Sequence, residues 1–244
     1  MILEVAMEDR QLTLVEHLSE LRKRIIVIFL AIIVGSIISY SFIGKIVDIL
    51  IRPASKLEFI YLSPPELFLA YIKISVISGL IISSPISLMQ IWLFIKPGLN
   101  KKERKYLSLA LGMGIVFFLI GVIFAYFTMV PITIAFFTQV SRDNIAPLFS
   151  FDSYLTFIST LLLSSGLIFE LPMLIILLTQ LRLVRATRLI KYRKYVVLII
   201  FIIAAIITPP DVISQILLGL PMVFLYELSI WISKMIEKRR EEYD

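Results

Sequence analysis

The stretch IIVIFLAIIVGSIISYSFIG, residues 25–44, decides the fold class, because it runs for 20 residues without a charged side chain. About 20 consecutive apolar residues are what an α-helix needs to cross the hydrocarbon core of a bilayer. The rest of the chain has the same character, since 59% of its 244 residues are hydrophobic and only 17% are charged. A soluble domain averages about 45–50% apolar residues. The sequence therefore predicts an all-α, polytopic membrane protein.

Five further apolar segments follow the first, and together they predict six transmembrane helices in one bundle. We place the spans at about 25–44, 67–95, 106–130, 154–181, 195–207 and 212–233. No internal repeat is visible among them. The sequence therefore favours a single integral membrane domain over residues 1–244.

Lysine and arginine are concentrated in alternate connections between the spans. The two tails and the 96–105 and 182–194 loops hold 19 of them, whereas the three other connections hold four. Short loops rich in Lys and Arg stay on the cytoplasmic side of a membrane. Both termini are therefore predicted to be cytoplasmic, and the net charge of +6 is explained by topology, not by nucleic-acid binding.

Two spans have lengths that do not match a flat bilayer. The second span would be about 43 Å long as a helix, so it must tilt or bend, and Pro85 marks the expected kink. The fifth span is short, at only about 20 Å, which predicts a membrane thinned beside the fifth and sixth helices. Pro131 is expected to end the third span and to begin a segment lying on the outer interface.

Acidic residues beside the spans need an explanation. Glu20, in HLSELRKR (17–24), is one helical turn from Arg24, so the two could form a surface ion pair worth under about 1 kcal/mol. Alternatively, Glu20 is held at the membrane surface to receive a cationic ligand, for which arginine has the best geometry. Glu103, the only acid among five basic residues in KPGLNKKERK (96–105), leaves the same alternatives open.

Glu170 lies near the middle of the fourth span. A charged residue at that depth costs roughly 2.5–3.5 kcal/mol on insertion scales, so its side chain should face other protein or a water pocket. It either locks helices together or binds a partner helix or a proton. Lys73 is expected to reach the outer headgroups, Glu227 to pair within the bundle, and Asp211 to cap the sixth helix.

The residues that catalysis requires are absent from the sequence. There is no cysteine, and the single histidine, His17, lies outside the spans. An intramembrane Ser–His protease therefore has no base, and neither an HExxH metal site nor a P-loop is present. We expect no enzyme activity, no metal and no cofactor.

Four motifs in order resemble the TatC family, the polytopic core subunit of the twin-arginine (Sec-independent) protein translocase. They are HLSELRKR (17–24), SSPISLMQIWLFIKPGLNKKER (83–104), FELP (169–172) and TPPDVISQILLGLPMVFLYE (208–227). The resemblance implies a receptor for the Arg-Arg signal peptides of folded cargo proteins. It further implies export across the inner membrane driven by the proton-motive force, in an oligomeric complex with the single-span proteins TatA and TatB.

The resemblance also assigns roles to individual residues. Family members bind the twin arginines through cytoplasmic acids and their neighbours, which are matched here by Glu20, Arg22, Phe94 and Glu103. Glu170 matches a buried polar position implicated in contacts with TatA and TatB. Positions that shape the loops and the second span are matched by Pro53, Pro85 and Asp211.

Two other functions fit a bundle of six spans. Glu170 could couple ion movement to transport of a small solute, with Lys73 as its counter-charge, although no repeat symmetry typical of such transporters is visible. The chain could also be a scaffold for other membrane proteins. Binding of a signal peptide that carries Arg-Arg, compared with Lys-Lys, separates these functions from the translocase.

Overall fold

A computed structural model gives the structure of the chain and describes residues 14–55, 57–61, 63–98, 101–139, 148–208 and 211–241. Its α-helices are α1 (Leu14–Ser41), α2 (Ile43–Ile51), α3 (Pro64–Ile95), α4 (Lys101–Phe124), α5 (Val130–Gln139), α6 (Phe151–Phe169), α7 (Leu171–Gln180), α8 (Ala186–Ile207) and α9 (Val212–Glu241). Two short strands, β1 (Phe59–Ile60) and β2 (Phe149–Ser150), pair in parallel.

Five segments of the described chain are long and apolar enough to cross a membrane. They are Val15–Ser41, Pro64–Ile95, Leu107–Gln139, Phe151–Gln180 and Val212–Lys238. An all-α, polytopic membrane fold is thereby confirmed. Helix α8 is not among the five, since charged residues occupy its first half and its apolar part begins near Tyr195. That α8 is a sixth, short span stays a prediction.

The long helices run alternately in opposite directions through the bundle. We call the end at which α1 begins the proximal end, and the end that holds α2, β1 and β2 the distal end. Side chains of α1 meet the last turns of α3 at the proximal end, where Arg24 binds Gln90. At the distal end, the hydroxyl of Tyr126 donates to the Ile49 carbonyl (2.8 Å) and that of Tyr154 to the Leu50 carbonyl (2.9 Å).

Helices α1 and α3 pack closely because glycines face each other where they cross. A Cβ atom on Gly35 would lie 2.9 Å from the Gly79 carbonyl oxygen, and one on Gly79 would lie 2.5 Å from the Ser36 backbone nitrogen. Buried Ser39 and Ser75 extend this strip of small side chains. Small residues let two backbones approach in a membrane, where van der Waals contact drives helix association.

Helix α3 is 32 residues long and continuous through Pro85. Its length as a straight helix would be about 48 Å, which exceeds the hydrocarbon core of about 30 Å. The expectation that it tilts or bends follows from this mismatch, and the bend at Pro85 stays a prediction.

The helix of the third span does not break at Pro131, so the predicted helix end there is wrong. Helix α4 continues through a π-helical turn, Ala125–Met129, into α5, where Pro131 is the second residue. The wider π turn changes the hydrogen-bond register, so the proline ring avoids the carbonyl with which it would clash inside an ordinary α-helix. The segment expected on the outer interface is consequently helical up to Gln139; residues 140–147 lie outside the described part of the chain.

The fourth span is divided into two helices at Glu170, which stands between α6 and α7. Pro172 lies in the first turn of α7, where a missing N–H leaves no helical hydrogen bond unmade. Helix α6 is the central element of the bundle, and the side chains of Leu155 and Ile158 on it are fully buried. Glu170 is therefore held at a helix junction that borders the core.

Lys73, which the sequence predicted to reach the outer headgroups, has an ion-pair partner at the distal end. Its Nζ atom lies 2.8 Å from both carboxylate oxygens of Asp152, at the start of α6. Because the carboxylate comes from another helix, the pair links α3 to α6 beside the β1–β2 pairing.

Helices α8 and α9 form an antiparallel hairpin that is joined by an ion pair. Arg193 and Glu227 form a bidentate ion pair, with Nε–Oε1 and Nη2–Oε2 distances of 2.8 Å, so the predicted internal pairing of Glu227 is confirmed. At the distal end, the Ser214 N–H donates to Asp211 Oδ1 (2.7 Å). Asp211 is therefore the N-terminal cap of α9 that its position before the helix predicts.

Candidate functional site

Glu20 lies at the proximal end, in the second turn of α1, and its carboxylate is paired. Nη2 of Arg24 donates to Glu20 Oε1 (3.0 Å), and Nη1 of the same guanidinium donates to Gln90 Oε1 on α3 (3.1 Å). Exposure of the two charged side chains is only 20% for Glu20 and 21% for Arg24. The ion pair expected from the i, i+4 spacing is thus present, but it is half-buried between two helices and not on an open surface.

Phe94 lies at the same end of the bundle, near the C-terminus of α3. Its ring stacks on the imidazole of His17 with a centroid separation of 4.3 Å and an interplanar angle of 20°. This contact fastens the start of α1 to the end of α3. Arg22 is exposed on α1, two residues from Glu20. The structure therefore brings Glu20, Arg22 and Phe94 to the proximal end.

Glu103 belongs to the first turn of α4, and its side chain lies outside the described part of the structure. The connection from Phe94 to this turn includes the 3₁₀ turn Lys96–Gly98. The helical backbone places residue 103 at the proximal end, since α3 ends there and α4 begins there. How its carboxylate is oriented toward Glu20 stays a prediction.

Glu170 borders a cavity of about 200 Å³ between α3, α4 and α7. The cavity wall is almost entirely apolar and is formed by residues of these three helices: Leu88, Ile91, Trp92, Leu107, Leu111 and Met173, with Glu170 at the α6–α7 junction. The carboxylate occupies space that Gly114 leaves empty, because a Cβ atom there would lie 2.8 Å from Oε2.

Two polar atoms of residues bordering this cavity have no hydrogen-bond partner among the described residues. They are Oε1 of Glu170 and Nε1 of Trp92, and both are buried. The Glu170 oxygen is an acceptor, or a donor when the carboxyl is protonated, and the Trp92 nitrogen is a donor. Buried polar groups are normally hydrogen-bonded, so this cavity has unused capacity for a polar group inserted among apolar side chains.

The two prolines predicted to shape the chain, Pro53 and Pro85, lie in a turn and within a helix. Pro53 lies in the 3₁₀ turn Arg52–Ala54 that follows α2 at the distal end. Pro85 lies within α3 next to the buried side chains of Ser83 and Ser84. Pro53 is therefore at the opposite end of the bundle from Glu20, whereas Pro85 is five residues before Gln90 on the same helix.

Sequence reasoning missed Gln90, Trp92 and Gly114. Gln90 carried a usable signal, since a polar amide inside an apolar span should have a buried partner. Trp92 and Gly114 carried none, because their roles follow from what they face across the bundle. In the described residues, no group of three His, Asp or Glu side chains is arranged to hold a metal ion.

These features define a polytopic helical membrane protein with an acid-bearing proximal end and an intramembrane cavity bordered by a glutamate. A family model described as Sec-independent protein translocase protein (TatC) matches residues 16–221. The chain belongs to the TatC family of Sec-independent protein translocase proteins.

Relatives and solved structures agree with this assignment over nearly the whole chain. The TatC protein of Carboxydothermus hydrogenoformans is 41% identical over 236 residues, covering 96% of this chain and 97% of the relative. That of Aquifex aeolicus is 38% identical over 239 residues, covering 94% and 98%. A crystal structure of the twin arginine translocase receptor TatC superposes with a TM-score of 0.83 at 37% identity, covering 90% of this chain and 99% of the other.

The solute-transporter alternative loses its proposed counter-charge. It required the positive charge of Lys73 to balance the charge of Glu170, but the Nζ atom of Lys73 donates to both carboxylate oxygens of Asp152. Glu170 borders the cavity on α3, α4 and α7 instead.

Proposed function

We propose that this chain is the receptor component of the twin-arginine translocase and that it binds Arg-Arg signal peptides at its proximal end. Glu20 and Glu103 are the acids that receive the two guanidinium groups, with Arg22 and Phe94 as neighbours. The observation that carries the proposal is the contact between Glu20 and Arg24, a guanidinium–carboxylate bond of 3.0 Å in a half-buried site. It is evidence that the environment of this carboxylate accommodates a guanidinium.

The chemistry of the site favours arginine over lysine. A guanidinium offers five N–H donors in a planar fork, whereas an ammonium is a compact and strongly hydrated point charge. A carboxylate that is held in place by neighbouring helices accepts directional, charge-assisted hydrogen bonds from the planar guanidinium group. A signal peptide with Lys-Lys therefore binds more weakly although its charge is unchanged.

Binding of two synthetic signal peptides, Arg-Arg and Lys-Lys, to the purified protein in lipid nanodiscs tests this function. We expect the Arg-Arg peptide to bind more tightly, and Glu20→Ala or Glu103→Ala to weaken it by about tenfold or more, the value of a charged hydrogen bond. Glu58→Ala, which removes an exposed acid next to β1 at the distal end, is the matched control. Equal affinity for both peptides, or retention of binding after loss of both proximal acids, contradicts the proposal.

The cavity beside Glu170 is the second part of the proposal. Single-span partners of the TatA and TatB type place a polar residue of their membrane helix in this cavity, where Glu170 Oε1 has no partner among the described residues. The apolar side chains on α3, α4 and α7 that line the cavity would surround the inserted residue. The contact stabilises the complex because the alternative for both polar groups is burial in hydrocarbon without a hydrogen bond.

Export of a folded cargo requires more than one chain. A bundle of 244 residues does not enclose a pore of folded-protein width, so partners and further copies must assemble around it. The chain has no phosphate-binding loop, so the energy must come from a partner or an ion gradient, and the family resemblance favours the proton-motive force. The protein resides in the inner membrane with both termini in the cytoplasm, so the proximal end faces the newly made cargo.

A further inference from the structure

A chain of hydrogen bonds crosses from α3 to the Glu20 carboxylate. Gln90 is 6% exposed, and its Oε1 atom accepts from Arg24 Nη1 at 3.1 Å. Arg24 Nη2 then donates to Glu20 Oε1 at 3.0 Å. We call this chain of three side chains the Gln90 relay.

The relay fixes the guanidinium of Arg24 more firmly than an ion pair on a helix surface would. Each of its two terminal nitrogens is bonded, one to each helix, and the Nε atom is buried without a partner among the described residues. Buried pairs are screened less by salt than exposed ones. Arg24 is therefore a fixed cation beside Glu20, held by a residue of another element.

We propose that Arg24 and Gln90 are positioning residues that make the Glu20 carboxylate selective for a guanidinium. This inference rests on the proposed binding of Arg-Arg peptides at Glu20. Arg24 occupies Oε1 and holds the carboxylate in one orientation, which leaves Oε2 and the outer lone pairs of the group for the ligand. Gln90 keeps Arg24 in this position when the ligand's own positive charge arrives.

Two physical effects produce the selectivity. A glutamate that is already held in one rotamer loses no further side-chain freedom on binding, which lowers the entropic cost of the complex. The fixed charge of Arg24 also offsets the attraction of the carboxylate for cations in general. Binding then depends on directional hydrogen bonds, which an arginine fork makes better than a lysine ammonium.

The test compares the ratio of Lys-Lys to Arg-Arg peptide dissociation constants between variants in lipid nanodiscs. Gln90→Met keeps the side-chain length but removes the acceptor, and Arg24→Gln removes the cation. We expect the ratio to fall by roughly fivefold in each variant. The double variant should lose no more than either single one, because both act through the same relay.

Matched controls separate positioning from general stability. Gln215→Met removes a side-chain bond of 3.0 Å to the Phe201 carbonyl in the α8–α9 hairpin, far from Glu20, and should leave the ratio unchanged. Thermal unfolding identifies any variant that fails to fold. If Gln90→Met fails, Arg24→Gln decides the outcome, because it changes the half-buried partner and leaves the α3 amide in place.

Each outcome has a distinct meaning. An unchanged ratio in folded Gln90→Met and Arg24→Gln overturns the inference and leaves peptide binding intact. A rise in the ratio in Arg24→Gln, caused by tighter binding of the Arg-Arg peptide alone, also overturns it, because Arg24 would then be a competitor for the carboxylate. A wild-type protein that does not prefer Arg-Arg overturns the proposed function itself, and the relay with it.

Discussion

At the scale of single residues, Glu170 is defined by the glycine that faces it. Gly114 has no side chain, and the carboxylate lies in the space where a Cβ atom would be, 2.8 Å from Oε2. The carboxylate is the end of a flexible side chain, so it can move away from an added methyl group at small energetic cost. What such a move changes is the direction in which the carboxylate points.

Gly114→Ala should therefore reduce capture of a single-span partner with little loss of stability. The added Cβ displaces the Glu170 carboxylate from its position at the cavity, so the partner's polar residue loses its acceptor. The measurement is co-purification of a TatA- or TatB-type partner, with Glu170→Leu as the reference for complete loss of the polar group.

Gly112→Ala is the matched control for this prediction, because a Cβ there meets nothing within 4 Å. It lies two residues away on the same helix and should leave partner capture at the wild-type level. Equal capture by both alanine variants would show that the carboxylate's position at Gly114 has no part in partner binding.

At the scale of secondary-structure elements, the crossing of α1 and α3 depends on two backbones in contact. A methyl group on Gly79 meets the backbone of Ser36, with its nitrogen at 2.5 Å and its Cα at 2.8 Å. Backbone atoms cannot turn aside as a side chain can, so the helices themselves must separate. The proximal contacts of Arg24 and His17 are made across the same pair of helices.

Gly79→Ala should lower the free energy of unfolding by about 2 kcal/mol, within the range for overpacking of a tight interface. A lower midpoint of thermal unfolding in detergent is the expected observation. Gly112→Ala gives the baseline, since alanine favours a helix over glycine by about 1 kcal/mol where space is open. Identical midpoints for the two variants would refute the close crossing of α1 and α3.

The elements could be predicted from sequence where burial in lipid alone determines them. Long apolar runs predicted the five long apolar helical segments that the structure contains. Pro131 led to a wrong prediction, because the helix can contain this proline only next to a π turn. A π turn is much harder to recognise in a sequence than a proline. The ion pair of Lys73 was also out of reach, since Asp152 becomes its neighbour only when α3 and α6 pack.

The candidate site could be predicted in part, for a related physical reason. A carboxylate is expensive in or near a membrane, so Glu20 and Glu170 stood out from the apolar background. The sequence could not identify what faces them. Gln90 is 66 residues from Arg24 along the chain, and its role depends on the angle at which two helices cross.

At the scale of the whole molecule, orientation in the membrane can be tested directly because the chain has no cysteine. Single cysteines at Ser19, exposed at the proximal end, and Ser55, exposed at the distal end, report the two sides. In intact cells, a membrane-impermeant maleimide should label Ser55→Cys and leave Ser19→Cys unlabelled until the membrane is opened. The reverse pattern would contradict cytoplasmic termini.

The α8–α9 hairpin should be surrounded by a thinner bilayer than the rest of the molecule. The apolar part of α8, residues 195–207, covers about 20 Å as a helix, against a hydrocarbon core of about 30 Å. Cryo-electron microscopy in nanodiscs measures the separation of headgroup density beside α8 and beside α1. We expect a smaller separation at α8, and equal values would exclude the deformation.

The pairing of β1 with β2 has a mechanical consequence for the bundle. Backbone hydrogen bonds between β1 and β2 hold two connections of the chain together at the distal end. The hydroxyls of Tyr126 and Tyr154 add bonds to the carbonyls of Ile49 and Leu50 at the same end. Helices that are held together at the distal end can move relative to one another most at the proximal end. A peptide bound at the proximal end would therefore act on helices whose distal connections are held together, and any shift of α1 against α3 would first strain the proximal contacts between His17 and Phe94 and between Arg24 and Gln90.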